Sequence, residues 1–117
     1  MGIVVYGIPS CGTVKKARAW LVENDIAHTF VDFRELPPSK SQVAAWVAAF
    51  GAKPMRNTSG GAYRALGADK EGWTDARWQI AFASDPMLIK RPVVERDGKP
   101  VLVGWSLPID MIRERLV

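Results

Sequence analysis

Tyr6-Gly7-Ile8-Pro9-Ser10-Cys11-Gly12-Thr13-Val14-Lys15-Lys16 is the stretch that decides the fold of this chain. It holds Cys11, the only cysteine among 117 residues. Ahead of the turn, Ile3-Val4-Val5-Tyr6 is a continuous, β-branched apolar run, which predicts a buried central strand. Gly7, Pro9 and Ser10 predict a turn. From Thr13 to about Glu23 the apolar residues fall in helical register. Val14, Ala17 and Leu21 share one face with Trp20 beside them, while Lys15, Lys16 and Arg18 lie away from its centre. A cysteine between a strand end and a helix start meets the unpaired N–H groups and dipole that favour a thiolate.

Outward from this segment, Asn24-Asp25 stops the helix and Ile26 to Phe33 reads as a second strand, with Thr29, Val31 and Phe33 on one face. Strand, helix, strand at this spacing is a βαβ unit with a parallel pair. Arg34 to Pro38 is a linker. Ser39 is placed to cap a helix from Lys40 to Phe50, which Gly51 ends. Lys53 to Gly61 reads as a polar, glycine-rich loop carrying Arg56. A short helix is expected over 62–66, another from Gly72 to Ser84 with Thr74 as a cap, and a helical turn from Asp85-Pro86. Two apolar runs then flank Asp97-Gly98, a strong hairpin signal. Ser106 is placed to cap a last helix. The order is βαβ, a helical insertion over roughly residues 39–89, then ββα. That is an α/β chain in the order of a thioredoxin- or glutaredoxin-like domain, with the insertion between its second and third strands. All of residues 1–117 is expected to form one domain.

Composition narrows the function classes. A hydrophobic fraction of 48% and a charged fraction of 24% are ordinary for a globular protein. The formal charge is +4, spread along the chain, which favours small anions or an acidic partner rather than nucleic acid. One cysteine excludes an internal disulfide and a multi-cysteine metal site, so no metal is expected. It points to a reducing compartment, the cytoplasm. No apolar run is long enough to span a bilayer, and Met1-Gly2-Ile3 opens no secretion signal.

Several motifs carry a resemblance. The Cys11 segment through Ala17, Arg56-Asn57-Thr58 with Tyr63-Arg64-Ala65-Leu66, Lys90-Arg91-Pro92-Val93-Val94, and Gly98-Lys99-Pro100 through Gly104-Trp105 occur in one order over nearly the whole chain. In that set the chain resembles the arsenate reductase (ArsC) family of glutaredoxin-related proteins, and most closely its YffB and Spx-type branch. The resemblance implies Cys11 as the nucleophile. It also implies a cis proline at Pro92 that aims Arg91 at the site, and an anion-binding arginine at Arg56. No bound cofactor is implied; glutathione is the expected co-substrate, with glutaredoxin as an alternative thiol partner.

The residues themselves agree with this chemistry. Gly12 allows close backbone approach of an anion, Thr13 can donate a hydrogen bond to it, and Lys15 and Lys16 add positive potential. Arg91 precedes a proline, is therefore biased to extended backbone, and reads oxyanions and carboxylates bidentately. The second position of a C-x-x-C pair is Val14, so an oxidised Cys11 needs an outside thiol. The resembled arsenate reductases carry a third arginine after the final hairpin, where this chain has Gly104-Trp105. Three readings follow. The first is a glutathione-dependent thiol reductase acting on a small anionic or thiol substrate. The second is an Spx-like regulator that binds RNA polymerase. The third is an arsenate reductase. His28, the only histidine, reads as a partly exposed strand residue away from Cys11.

Overall fold

The computed structural model describes residues 2–117; Met1, where the N-terminal reading begins, lies outside the described residues. The chain forms two compact units. One comprises residues up to Leu36 together with Arg91–Val117, and the other comprises Pro37–Lys90.

The first unit is built on a four-stranded sheet. Its strands are β1 (Ile3–Gly7), β2 (His28–Asp32), β3 (Val93–Arg96) and β4 (Lys99–Val103). Their spatial order is β2-β1-β3-β4, so the apolar run before the turn is an inner strand, as expected. β1 pairs parallel with β2, Val5 opposite Phe30, and antiparallel with β3, Val5 opposite Val94. Helix α1 (Gly12–Glu23) makes the crossover from β1 to β2. It ends at Asn24, whose N–H donates to the Trp20 carbonyl, and Asp25, whose N–H donates to that of Val22, follows with φ of 58°. Such a short polar residue is among the few that tolerate left-handed backbone.

Alternation along the strands sends Ile3, Val5, Val94 and Leu102 to one sheet face. Leu21 of α1 and Ile112 and Leu116 of the last helix pack on them. Each of these side chains gains about 1.5–3 kcal/mol from burial. Trp20 meets Trp105 edge-on with ring centroids 5.8 Å apart, and Arg113 bonds Asn24 at 3.1 Å. These contacts tie the end of α1 to the segment that follows β4 and to the C-terminal helix. On the other face the Tyr6 hydroxyl donates to the buried Glu95 carboxylate at 2.9 Å.

The hairpin forms at Asp97-Gly98, where both residues have positive φ, 52° and 81°. That is the turn whose twist matches paired strands. A register shift between Val94 and Glu95 places Pro100, which has no N–H to donate, opposite Glu95.

The second unit is helical: α2 (Lys40–Phe50), α3 (Ala52–Met55), α4 (Gly61–Arg64) and α5 (Asp75–Ser84), with 3₁₀ turns at Ala68–Gly72 and Pro86–Leu88. Ser39 caps α2 in a reciprocal capping box with Gln42. Thr74 accepts from Arg77 N–H and caps α5, so the helix starts at Asp75 and not at Gly72. Trp78 is fully buried among Tyr63, Trp73 and Phe82, with centroids at 6.0, 4.8 and 5.6 Å. Asp69 and Glu71 have structural partners, the Trp73 indole N–H and the Tyr63 hydroxyl.

Two expectations are corrected. The loop over 53–61 is shorter than expected, because Ala52–Met55 forms a helical turn with Ala52 and Met55 fully buried. Pro54 is compatible there, since a first turn has no N–H to lose. Ser106 does not cap the last helix, α6 (Ile109–Leu116), which begins behind Pro108. Pro108 disfavours helical backbone at Leu107, so the helix cannot start earlier.

Replacing Ser39 by Ala removes the side-chain half of its capping box, the hydroxyl that accepts from Gln42 N–H. It is expected to destabilise the fold by about 1 kcal/mol, read as a lower denaturant midpoint with unchanged slope.

Candidate active site

β1 delivers the chain to Gly7, and the Ile8–Cys11 turn closes with a bond from Cys11 N–H to the Ile8 carbonyl at 3.2 Å. Cys11 then occupies the N-cap of α1, with extended backbone, and its carbonyl accepts from Lys15 N–H at 3.0 Å. The turn is tight because Gly7 has no side chain. A Cβ there would stand 2.7 Å from a methyl of Val14, which is fully buried, and 3.7 Å from Arg91 Cβ. The sequence pattern strand–Gly–turn–Cys therefore has a packing cause: Gly7 lets the first turn of α1 sit against the strand end.

The half-buried thiol makes no capping bond of its own. Its anion is another matter. Burial pushes the Cys11 pKa up, but the backbone N–H groups of Val14 and Thr13 and the Arg91 guanidinium, by hydrogen bond and charge, together bring it below the ordinary thiol value. This is the helix-terminus effect assisted by one cation. Arg91 reaches the sulfur from the entry to β3, across a cis Arg91–Pro92 bond. Pro92 is buried, and its carbonyl accepts from Gly104 N–H at 2.8 Å. Gly104 has φ of 76°, backbone that favours glycine.

The other expected residues are placed as follows. Gly12 and Thr13 open α1 and are exposed, and a Cβ at Gly12 would meet nothing within 4 Å. Thr13 acts on Cys11 through its backbone N–H. Lys15 and Lys16 are exposed on α1 and are not among the groups that move the thiol. Lys15 instead lines a groove with Pro9, Val14 and Arg18.

Arg56 belongs to the helical unit. A backbone bridge to Ile89 fixes its segment, and its guanidinium lies 4.6 Å over the Trp78 ring. Its Nε is buried without a hydrogen-bond partner. Trp78, which holds Arg56 by this stacking, was not singled out for that part from the sequence; only its apolar helical context was legible.

His28 opens β2 half-buried and accepts from Arg18 Nε at 3.3 Å. Burial lowers its pKa, its backbone bond with Ile26 opposes this, and the Arg18 charge lowers it further. Among the described residues, no three His, Cys, Asp or Glu side chains are grouped as metal ligands would be.

Comparison with known proteins gives a consistent set. The model of the ArsC family matches residues 6–108. The YusI protein of Bacillus subtilis (strain 168) is 37% identical over 111 residues, covering 91% of this chain and 92% of that one. An arsenate reductase of Rhizobium meliloti (strain 1021) is 29% identical over 80% of this chain and 69% of its own. A global transcriptional regulator, Spx, of Lactiplantibacillus plantarum is 27% identical over 89% of this chain and 80% of its own. Among solved structures, a YFFB protein superposes with a TM-score of 0.86 at 34% identity, covering 98% of this chain and 99% of that one.

Alkylation of Cys11 by iodoacetamide, followed against pH, is expected to show a midpoint below the free-thiol value of about 8.5. Arg91→Ala should move that midpoint up, and Arg91→Lys should move it less. An unmoved midpoint in Arg91→Ala would show that the guanidinium does not act on the sulfur. Gly7→Ala should cost about 1–3 kcal/mol by overpacking against Val14. It should also disturb the Cys11 midpoint, measured in the same experiment.

Proposed function

The chain belongs to the ArsC family, and on that footing we propose that it is a glutathione-dependent thiol reductase with Cys11 as its single nucleophile. The observation that carries this reading is a thiol whose anion is favoured by two helix N-terminal amides and by Arg91, in a chain with no second cysteine.

The reaction follows from that arrangement. The Cys11 thiolate attacks a disulfide sulfur of the substrate, a Cys11–sulfur bond forms, and the substrate's other sulfur leaves as a thiolate. When the captured group is glutathione, a second glutathione thiolate attacks its sulfur. Oxidised glutathione departs, and the electron pair returns to Cys11 as thiolate. Arg91 stabilises the anion at both ends of the cycle, since sulfur carries charge before attack and after release. Gly12 allows close approach of its backbone to an anion, and Thr13 offers its N–H. Pro92 and Gly104, joined by their backbone bond, hold the Arg91 segment. The proposed setting is the cytoplasm, where glutathione is abundant; no helix among the described residues is long and apolar enough to cross a membrane. For Arg56 and Lys15, a part in binding anionic substrate rests on the family likeness of their segments.

Two other readings have particular support. A regulator acting on RNA polymerase is favoured by the likeness to Spx. Arsenate reduction is favoured by the likeness to an arsenate reductase, and Gly104-Trp105 in place of an arginine counts against it.

Purified protein is expected to turn over a glutathione mixed disulfide with glutathione as reductant, and Cys11→Ser should reduce the rate to background. Arg91→Ala should lower kcat/KM roughly tenfold, the ~1.4 kcal/mol of one charge-assisted bond. Turnover that survives Cys11→Ser would remove the assigned nucleophile. Absence of turnover on this substrate and on arsenate, with retention of polymerase subunits on the immobilised protein, would favour the regulator.

A further inference from the structure

Arg56 is a cation that the helical unit holds in place without neutralising it. Every carboxylate of that unit is engaged elsewhere. Asp69 accepts from the Trp73 indole N–H, Glu71 from the Tyr63 hydroxyl, Asp75 from Ala52 N–H and Asp85 from Met87 N–H. What fixes the guanidinium instead is a ring, that of Trp78, 4.6 Å beneath it. The ring is itself fixed. Trp78 is fully buried, Tyr63 lies parallel to it within 8°, and Phe82 packs at 5.6 Å. The backbone around Arg56 is tied on both sides. Lys90 N–H donates to the Met55 carbonyl at 2.7 Å, and Asn57 N–H donates to that of Leu88 at 2.9 Å.

Trp78 carries a penalty that a phenyl ring would not. Its indole N–H is buried with no hydrogen-bond partner, and an unbonded buried donor is destabilising. What an indole offers over a phenyl ring is its face, the best of the aromatic side chains for a cation. A carboxylate in the same place would also fix Arg56, but it would cancel the charge and occupy the planar fork that reads anions. A ring fixes the guanidinium and leaves both to an outside anion.

We infer that Trp78 is a positioning residue, which holds the Arg56 guanidinium pre-organised and unneutralised for a carboxylate of the substrate. That the carboxylate belongs to a glutathione-bearing substrate rests on the thiol-reductase reading, whereas the dependence of anion binding at Arg56 on Trp78 does not.

Two measurements keep these apart. In the first, S-methylglutathione, which has the carboxylates of glutathione but cannot exchange, is titrated into the protein, and the Arg56 Nε–H resonance is followed by NMR. The wild type should show a saturable shift of that resonance. Trp78→Phe, which keeps a weaker face, should weaken binding about threefold, and Trp78→Leu, which removes the face, about tenfold. No shift at Arg56 in the wild type, or equal affinity in all three proteins, would overturn the inference.

The second measurement is turnover of a glutathione mixed disulfide. The same variants should raise KM by the same factors, with the loss falling on KM and not on kcat. Arg56→Ala should raise KM about tenfold, and adding Trp78→Leu to it should raise KM no further, because the two side chains act as one. A tryptophan that only fills space would add its own loss to that of Arg56→Ala, or would lower kcat with KM unmoved; either result would overturn the inference. If the thermal transition shows Trp78→Leu to be unfolded, Trp78→Phe replaces it, with a threefold step expected in the wild type and none in Arg56→Ala. A wild type that does not turn over would overturn the reductase reading, while the NMR titration would still decide the part of Trp78.

Discussion

The structure turns on the stabilisation of one negative charge, that of the Cys11 sulfur. Burial opposes the charge, and the Val14 and Thr13 amides and the Arg91 guanidinium outweigh it. Each of these contributions needs a different part of the fold. The amides need α1 to begin directly after the turn, which the missing side chain of Gly7 permits. The guanidinium needs β3 to lie beside β1, since Arg91 stands at the entry to β3 and Cys11 just beyond the end of β1. The sheet order β2-β1-β3-β4 is thus what brings two segments far apart in sequence onto one sulfur.

The same dependence explains the rest of the first unit. Ile3, Val5, Val94, Leu102, Leu21, Ile112 and Leu116 form the core that fixes α1 against the sheet. The Pro92–Gly104 backbone bond joins the start of β3 to the end of β4 close to Arg91. The helical unit has its own organising contact, the stacking of Arg56 on a fully buried Trp78 within an aromatic cluster.

Local features were legible in the sequence because their causes are local. The apolar run Ile3–Tyr6, the capping serine at 39, the Asp97-Gly98 turn and the stop at Asn24-Asp25 each follow from a few neighbouring residues, and the structure has all of them. Cys11 and its position at a helix start were legible for the same reason. The misreadings came from competition between local signals. Ser106 looked like a cap, but Pro108 set the helix start. A polar stretch after Gly51 hid a turn that buries Ala52 and Met55. Long-range facts were out of reach of pattern alone: that Gly7 makes room for Val14, that Tyr6 holds Glu95, and that Trp78 supports Arg56. The cis bond at Pro92 and the aim of Arg91 were anticipated only through family resemblance.

A single stabilised thiolate with no resolving cysteine must hand its captured group to an outside thiol. The most direct test is to follow Cys11 by mass spectrometry through one cycle. The protein is treated with a glutathione mixed disulfide and then with reduced glutathione. The account predicts one glutathione adduct, confined to Cys11, which disappears on addition of glutathione with release of an equal amount of oxidised glutathione. An adduct that glutathione cannot remove, or no adduct at Cys11, would contradict it.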